Sequence, residues 1–242
     1  MTLPAWQYWL VGASEGLGRA LAQQLAARGV GLTLSARSGD RLTELADSLP
    51  GGARVLPMDV TDAASVRAAA EEAGEVEGLV WLAGTYWPMA AQTIDPDRAA
   101  AMIDVNLTGL HRLLGHVLPG MLARDRGHLL LTGSLSAYRG LPGAVGYSAS
   151  KAGVMALAET LRADLRRTGV RVQLANPGFI RTRLTAKNDF DMPQIMEPEV
   201  AAGHMLRLME SRRFASAFPH PFADLFRVAR LIPAPLWHRL MG

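Results

Sequence analysis

The chain has no cysteine. That excludes disulfide cross-links, thiolate metal centres and thiol nucleophiles. Lysine is almost missing as well: only Lys151 and Lys187 are lysines, and the remaining basic side chains are arginines. The net charge of +3 is small and spread along the chain. No basic patch with interleaved aromatics is present, so no nucleic-acid partner is expected. No uncharged apolar run approaches the roughly 18 residues of a membrane span. The first apolar strand begins near Trp6. That leaves no room for a charged n-region and an apolar h-region, so no signal peptide and a cytoplasmic location are expected. No carboxylate–histidine constellation points to a metal, and none is expected. His220 and His238 read as surface or packing residues.

What is present is a long, apolar chain: 242 residues, 49% hydrophobic and only 19% charged. A chain of this size buries a large single core. Short apolar runs such as WQYWLVG, VGLTLSA, GLVWLAG and HLLLTGS alternate with helical patterns near 16–28, 40–48, 63–73 and 96–124. A further helix follows Tyr147, and VRVQLANPG completes six strand–helix alternations. Continuous rather than alternating apolar strands predict a parallel sheet covered on both faces. The reading is an α/β protein, one doubly wound, Rossmann-like domain over residues 1–242 with helices on both faces. Its ligands should bind beyond the carboxyl ends of the strands. Two stretches break the rhythm. Residues 183–200 read as a substrate loop, since long insertions often form lids, or equally as a plain surface excursion. Residues 219–242 read as a helical tail within the domain.

Three sites carry chemistry. The first strand–helix turn, VGASEGLGRA, places Gly12, Gly16 and Gly18 where backbone can approach a pyrophosphate at a helix N-terminus. The stretch YSASK places Tyr147 and Lys151 one helical turn apart. A cation there favours tyrosinate and is expected to lower the pKa of Tyr147 from its free value of about 10. The third is the end of the second strand, LTLSARSGDR, about 20 residues past the glycine turn. An acid there would bind a ribose 2′-hydroxyl, but the position holds Ala36, followed by Arg37 and Ser38. A guanidinium can pair with a 2′-phosphate, so NADP(H) is expected over NAD(H). Ser14 and Ser38 could add hydroxyl donors. Glu15 opposes this preference unless it turns to solvent or pairs with Arg37.

The G-x-x-x-G-x-G spacing resembles the short-chain dehydrogenase/reductase family. Further matches run in order along most of the chain: Asp59 and Val60 in MDVTD, Asn106 in DVNLTG, Ser134 thirteen positions before Tyr147, and Pro177, Gly178 and Thr182 in ANPGFIRT. The resemblance implies an enzyme that interconverts a ketone and a secondary alcohol by hydride transfer. Tyr147 would be its acid–base group, Ser134 the substrate-orienting hydroxyl, and Lys151 the holder of the nicotinamide ribose. Asn106 would support a water linking Lys151 to solvent. Cofactor contacts would come from Gly12, Ser14, Gly16, Leu17, Gly18, Arg37, Asp59, Val60, Ala83, Gly84, Tyr147, Lys151, Pro177, Gly178, Ile180 and Thr182. Ser136 and Tyr138 compete with Ser134 for the substrate, but spacing favours Ser134.

One departure stands out. Where the family carries N-N-A-G, this chain has Trp81-Leu82-Ala83-Gly84. The reading adopted is a repacked sheet end with an unchanged backbone path. The resemblance also implies a homo-oligomer acting on a small molecule, and Phe179, Phe190 and Met196 point to an apolar carbonyl or alcohol. The rival reading is a non-catalytic dinucleotide-binding sensor or scaffold. In the tail, Phe222, Leu225, Phe226, Ala229 and Ile232 share a helix face. That face is expected to pack over the cleft or a second subunit. Adsorption to an anionic membrane is the second reading.

Overall fold

Strand side chains point alternately to opposite faces of a sheet, so a strand apolar on both faces needs cover on both. In the computed structural model, which describes residues 6–241, the first strand shows this directly. Tyr8 and Leu10 enter one core, Trp9 and Val11 the other. The element order is β1 (Gln7–Val11), α1 (Gly16–Ala26), β2 (Gly31–Ser35), α2 (Gly39–Ser48), β3 (Arg54–Val55), α3 (Ala63–Ala73) and β4 (Gly78–Trp81). It continues with α4 (Pro96–Ile103), α5 (Gly109–Ala123), β5 (Gly127–Thr132), α6 (Val145–Asp164), β6 (Val170–Pro177), α7 (Pro198–Met209), β7 (Ala215–Phe218), α8 (Phe222–Ala229) and α9 (Ala234–Met241). The seven strands form one sheet in the order β3-β2-β1-β4-β5-β6-β7, and every pairing is parallel. Helices α1, α2 and α7 cover one face, and α3, α5 and α6 cover the other. The expected doubly wound α/β fold is the observed one.

Strand order reverses between β1 and β4, the point in such a sheet beyond whose carboxyl ends ligands bind. Helix starts are marked in the sequence. Asp62 accepts from the Ala64 amide at 2.8 Å to cap α3, and Asp95 accepts from Arg98 at 3.0 Å with Pro96 in the first turn of α4. Helices α4 and α5 are joined without a break by a π-helical turn, Asp104–Thr108, which carries Asn106. Such turns recur at functional sites because they redirect side chains within a helix.

The sequence reading found six strands and missed β7, a four-residue strand of small side chains ending in Phe218. It also missed α7, whose first turn, from Pro198, takes up the end of the 183–200 stretch expected as loop. The tail prediction needs correction. Phe222, Phe226 and Ala229 turn inward, but Leu225 is 67% exposed, so the five residues do not share one covered face. The helix ends at Ala229, because Pro233 interrupts the path before α9. Residues 1–5 and 242 of the expected domain lie outside the described residues, as does the side chain of His238.

Candidate active site

The glycine turn leaves β1 through Gly12, whose φ is 95° and whose amide donates to Ser35 O at 2.7 Å. A β-carbon on Gly12 would sit 2.6 Å from the Ala83 amide nitrogen, so only glycine lets the turn close against the end of β4. Gly16, with φ of 51°, faces the Thr182 methyl at 2.9 Å from where its β-carbon would lie. That places Thr182 over the turn. Helix α1 begins without a side-chain cap and with no acid in its first turn. Its first amides are therefore free for an anion, and the dipole favours one. The cradle fits a dinucleotide pyrophosphate. Ser14 and Leu17 lie half-buried in this turn, and Gly18 is buried beneath it.

Around this cradle, Asp59 follows β3 and accepts from the Thr61 amide at 2.9 Å and its hydroxyl at 2.8 Å. Burial acts to raise its pKa, but those two bonds and the charge of Arg37 outweigh it and hold the carboxyl below its usual value. Val60 is buried beside it against Gly109. Ala83 and Gly84 form the loop opposite Gly12. Pro177 ends β6, Gly178 donates to Phe218 O at 2.7 Å, and Ile180 pairs with Met196 in an isolated bridge. The residues named from sequence as cofactor contacts thus lie at the carboxyl ends of the strands and in the loops that follow them, with Arg37 exposed. Glu15 does not pair with Arg37. Its carboxylate bridges Arg183 at 2.5 Å and Arg41 at 3.2 Å, two partners that sequence reading missed. Arg41 lies on α2 and Arg183 at the root of the 183–200 stretch, so only the fold brings them to Glu15.

The second half of the site hangs from α6 and the end of β5. Lys151 is buried and donates from Nζ to Thr132 O at 2.9 Å. Burial of its ammonium lowers its pKa to about 8. Nζ lies 5.9 Å from the centre of the Tyr147 ring. Tyr147 keeps some exposed ring surface, yet burial around its hydroxyl pushes its pKa up to about 12. The Ser134 hydroxyl bond pulls the value down and nearby Tyr86 raises it further. The expected lowering by Lys151 does not appear: desolvation of the phenol sets the direction, only the Ser134 bond opposes it, and Nζ is turned to Thr132 O instead. Tyr147 stands as a protonated phenol at neutral pH.

Ser136 Oγ donates to Ser134 Oγ at 3.0 Å, so it backs Ser134 rather than replacing it. Tyr138 is turned away, its hydroxyl accepting from Asn176 Nδ2 at 3.0 Å. Asn106 is fully buried and satisfied: Oδ1 accepts from the Thr85 amide at 2.7 Å, and Nδ2 donates to Thr85 O at 3.1 Å and Ser150 Oγ at 2.9 Å. It ties the loop after β4 to α6. A β-carbon on Gly84 would lie 3.5 Å from Asn106 Oδ1 and 3.8 Å from Lys151 Nζ, so the two share a small gap that glycine leaves open.

The departure at Trp81-Leu82 resolves as packing. β4 keeps parallel register with β1 through Trp81, and the Leu82 amide still donates to Val11 O at 2.8 Å. Trp81 is fully buried, and its indole N–H donates to Asn106 O at 3.3 Å. An indole therefore braces the π-helical turn from the strand below. Among the described residues, no group of three histidines or carboxylates lies close enough to hold a metal.

The comparisons agree with this geometry. The short chain dehydrogenase family profile matches residues 8–192. The chain is 40% identical over 235 residues to an uncharacterized oxidoreductase of Myxococcus xanthus (strain DK1622), covering 94% of this chain and 93% of that one. It is 32% identical over 212 residues to the 3-oxoacyl-[acyl-carrier-protein] reductase of Salmonella typhimurium, covering 86% of each. Its backbone superposes with a TM-score of 0.79 on the alcohol dehydrogenase of the archaeon Thermococcus sibiricus complexed with 5-hydroxy-NADP, at 27% identity over 88% of this chain and 95% of that one. A glycine cradle at the switch point, a buried Tyr–Lys pair and these likenesses place the chain in the short-chain dehydrogenase/reductase family of oxidoreductase enzymes.

Proposed function

We propose that this enzyme reduces an apolar ketone to a secondary alcohol with NADP(H) as preferred cofactor, and runs the reverse reaction when the balance of substrates demands it. The single observation that carries the reading is the buried constellation of Tyr147, Ser134 and Lys151 opposite the glycine cradle. The dinucleotide, when bound, supplies the hydride. The chain's own groups handle the oxygen. Ser134, held by Ser136, and the Tyr147 phenol would both donate to the substrate carbonyl, polarising it where negative charge develops. Tyr147 would then release its proton to that oxygen. A phenol protonated at neutral pH suits this direction.

Lys151 would stabilise the resulting phenolate, since an ammonium one turn away favours the charged form. A water between Lys151 and solvent would return the proton, beside Gly84, where Asn106 and Lys151 come together. Asn106 would act by positioning, because its side chain is committed to Thr85 and Ser150. The segment 183–200 reads as the substrate loop. Tyr86 links to it: its hydroxyl donates to Asn188 Oδ1 at 2.9 Å, while its ring meets Tyr147 edge to face at 5.0 Å. Phe179 and Phe190 pack together at 5.8 Å beside the same opening, favouring an apolar substrate. The resemblance further supports a homo-oligomer.

The NADP preference rests on Arg37 at the rim and on the missing acid at Ala36. The Thermococcus relative was crystallised with an NADP derivative, which accords with it. The test is a panel of ketones, 3-oxoacyl thioesters, quinones and steroids followed by NADPH absorbance. The thioesters belong there because the Salmonella relative bears that activity in its name. Turnover of an apolar ketone supports the reading, and a panel with no turnover by either nucleotide refutes it.

A further inference from the structure

Helix α8 is apolar on two sides. Its inner side, Phe222, Ala223, Phe226 and Ala229, packs toward Leu135, Ala217 and Tyr138 or is otherwise buried. Its outer side carries Leu225 and Val228, and Leu231 continues the same spacing just past the helix end, at 67%, 58% and 83% exposure. Helix α9 adds exposed Leu236 and Leu240. Among the described residues, half of the large exposed hydrophobics fall in this short stretch. A helix docked by one stripe needs no second one. Arg139 holds the stretch in place, donating to Ala229 O at 3.2 Å and Ile232 O at 2.9 Å with its guanidinium over Trp237. We infer that the outer face of α8 and α9 adsorbs flat onto an anionic phospholipid membrane and presents the substrate cleft to it.

Charge chooses this occupant. Arg227, Arg230 and Arg239 lie in the same stretch, against the one acid Asp224. That acid is already held by His220 at 2.8 Å and Arg227 at 3.7 Å. Arg230 is engaged by Glu159 at 3.9 Å and by the Tyr138 ring at 5.9 Å, whereas Arg227 keeps 60% of its side chain exposed, within reach of lipid phosphates. A second copy docked by a two-fold axis would set these cations against their own copies. An anionic surface attracts them. Each helix has eight residues, about 12 Å of length against a hydrocarbon core of about 30 Å, so neither can cross.

The position beside the cleft gives the contact a purpose. Ring centres of Phe226, Phe222, Phe179 and Phe190 follow one another at 5.1, 6.0 and 5.8 Å, an apolar path from α8 to the substrate loop. Phe190 is itself half exposed. Resting on the apolar-substrate reading, a ketone dissolved in the bilayer would reach Tyr147 along this path without crossing water.

Sedimentation of the full chain with vesicles tests the contact without nucleotide or substrate, so it stands or falls apart from the carbonyl chemistry. The protein should sediment with vesicles of equal parts phosphatidylcholine and phosphatidylglycerol, much less with phosphatidylcholine alone, and less at high salt. The triple variant L225S/V228S/L231S should lose about tenfold or more in partitioning. The pair R227Q/R230Q should lose about tenfold. Because these side chains are exposed, thermal stability and native mass should stay unchanged in both variants. Absence of binding to the mixed vesicles overturns the inference. So does a serine variant of smaller native mass, which would assign the face to a second copy.

Discussion

Two tyrosines stand at opposite ends of the same sheet, and burial around the hydroxyl raises the pKa of each to about 12. Tyr8, at the amino end, sits in a closed network. Its hydroxyl donates to His128 Nδ1 at 2.9 Å, and Arg171 donates to the same nitrogen at 2.9 Å. His128 Nε2 lies 2.8 Å from Gln173 Oε1, while Gln173 Nε2 donates to the carbonyls of Leu208, Ser211 and Arg213. The amide orientation fixes the imidazole: Nε2 carries the proton and Nδ1 accepts. Every group has a partner. At the carboxyl end Tyr147 meets the Ser134 hydroxyl and the edge of the Tyr86 ring, and it keeps part of its surface exposed. Tyr8 is wholly enclosed. The difference teaches that a raised pKa marks burial of a hydroxyl, while partial exposure beside a second hydroxyl marks the end where a substrate can reach it.

The largest expected effect separates the two rings. Tyr147→Phe should reduce turnover by about a hundredfold to ten-thousandfold with the melting temperature unchanged. Tyr8→Phe should leave kcat alone and lower stability by about 1 kcal/mol, since Arg171 still serves His128 Nδ1. Kinetics and thermal melts on both variants check the pair. A destabilised Tyr147→Phe protein with normal turnover would break the comparison.

Next in size is acid sensitivity at the closed end. Burial first, then the Arg171 charge, lowers the His128 pKa from 6.5 to about 3. Between those values the unfolded chain binds a proton that the folded chain refuses. Stability is therefore full above pH 6.5 and falls as pH drops toward 3, by on the order of 5 kcal/mol. Urea midpoints across this range should flatten in His128→Gln. An equally steep dependence in that variant would place the acid sensitivity elsewhere.

At the open end the sign runs on the alkaline side. Lys151 is lowered from 10.5 to about 8, so the unfolded chain holds the extra proton between those values. Stability of the nucleotide-free protein should rise as pH climbs from 8 toward 10, by on the order of 2 kcal/mol. Lys151→Met should abolish that rise. A rise that persists in the methionine variant would assign it to another group.

The sequence revealed these two ends unequally. Tyr147, Lys151 and Ser134 were legible because one helical turn and one strand–loop–helix spacing bring them together. The Tyr8 network was invisible. Its members lie on β1, β5 and β6, and only the register aligns Tyr8, Gly78, His128 and Arg171 in one row across the sheet. Gly78 leaves room for the Tyr8 ring to pass over it toward His128. Helix α3 matched its predicted bounds because Asp62 caps it, and β7 escaped because four residues of ASAF carry little pattern. The Trp81 indole bond to Asn106 was hidden for a similar reason: a tryptophan in a strand reads as core until its partner carbonyl is located.

The smallest expected effect concerns nucleotide choice at the open end. Among the described residues Arg37 has no ion-pair partner, whereas Arg41 and Arg183 are engaged by Glu15. A 2′-phosphate would pair with Arg37 directly, while its pull on Arg41 must compete with the Glu15 carboxylate already there. Exposed pairs of this kind contribute little, so Glu15 blunts the preference rather than reversing it. Arg37→Asp should weaken NADPH binding by about tenfold or more and leave NADH nearly unchanged. Glu15→Gln should tighten NADPH by a few-fold, since it removes a repelling charge and frees Arg41. Glu15→Arg should tighten it further by adding a guanidinium. Fluorescence titration of both nucleotides reads all three variants. Tighter NADH than NADPH binding by the unmodified protein would show that the missing acid at Ala36 and the guanidinium of Arg37 do not outweigh Glu15.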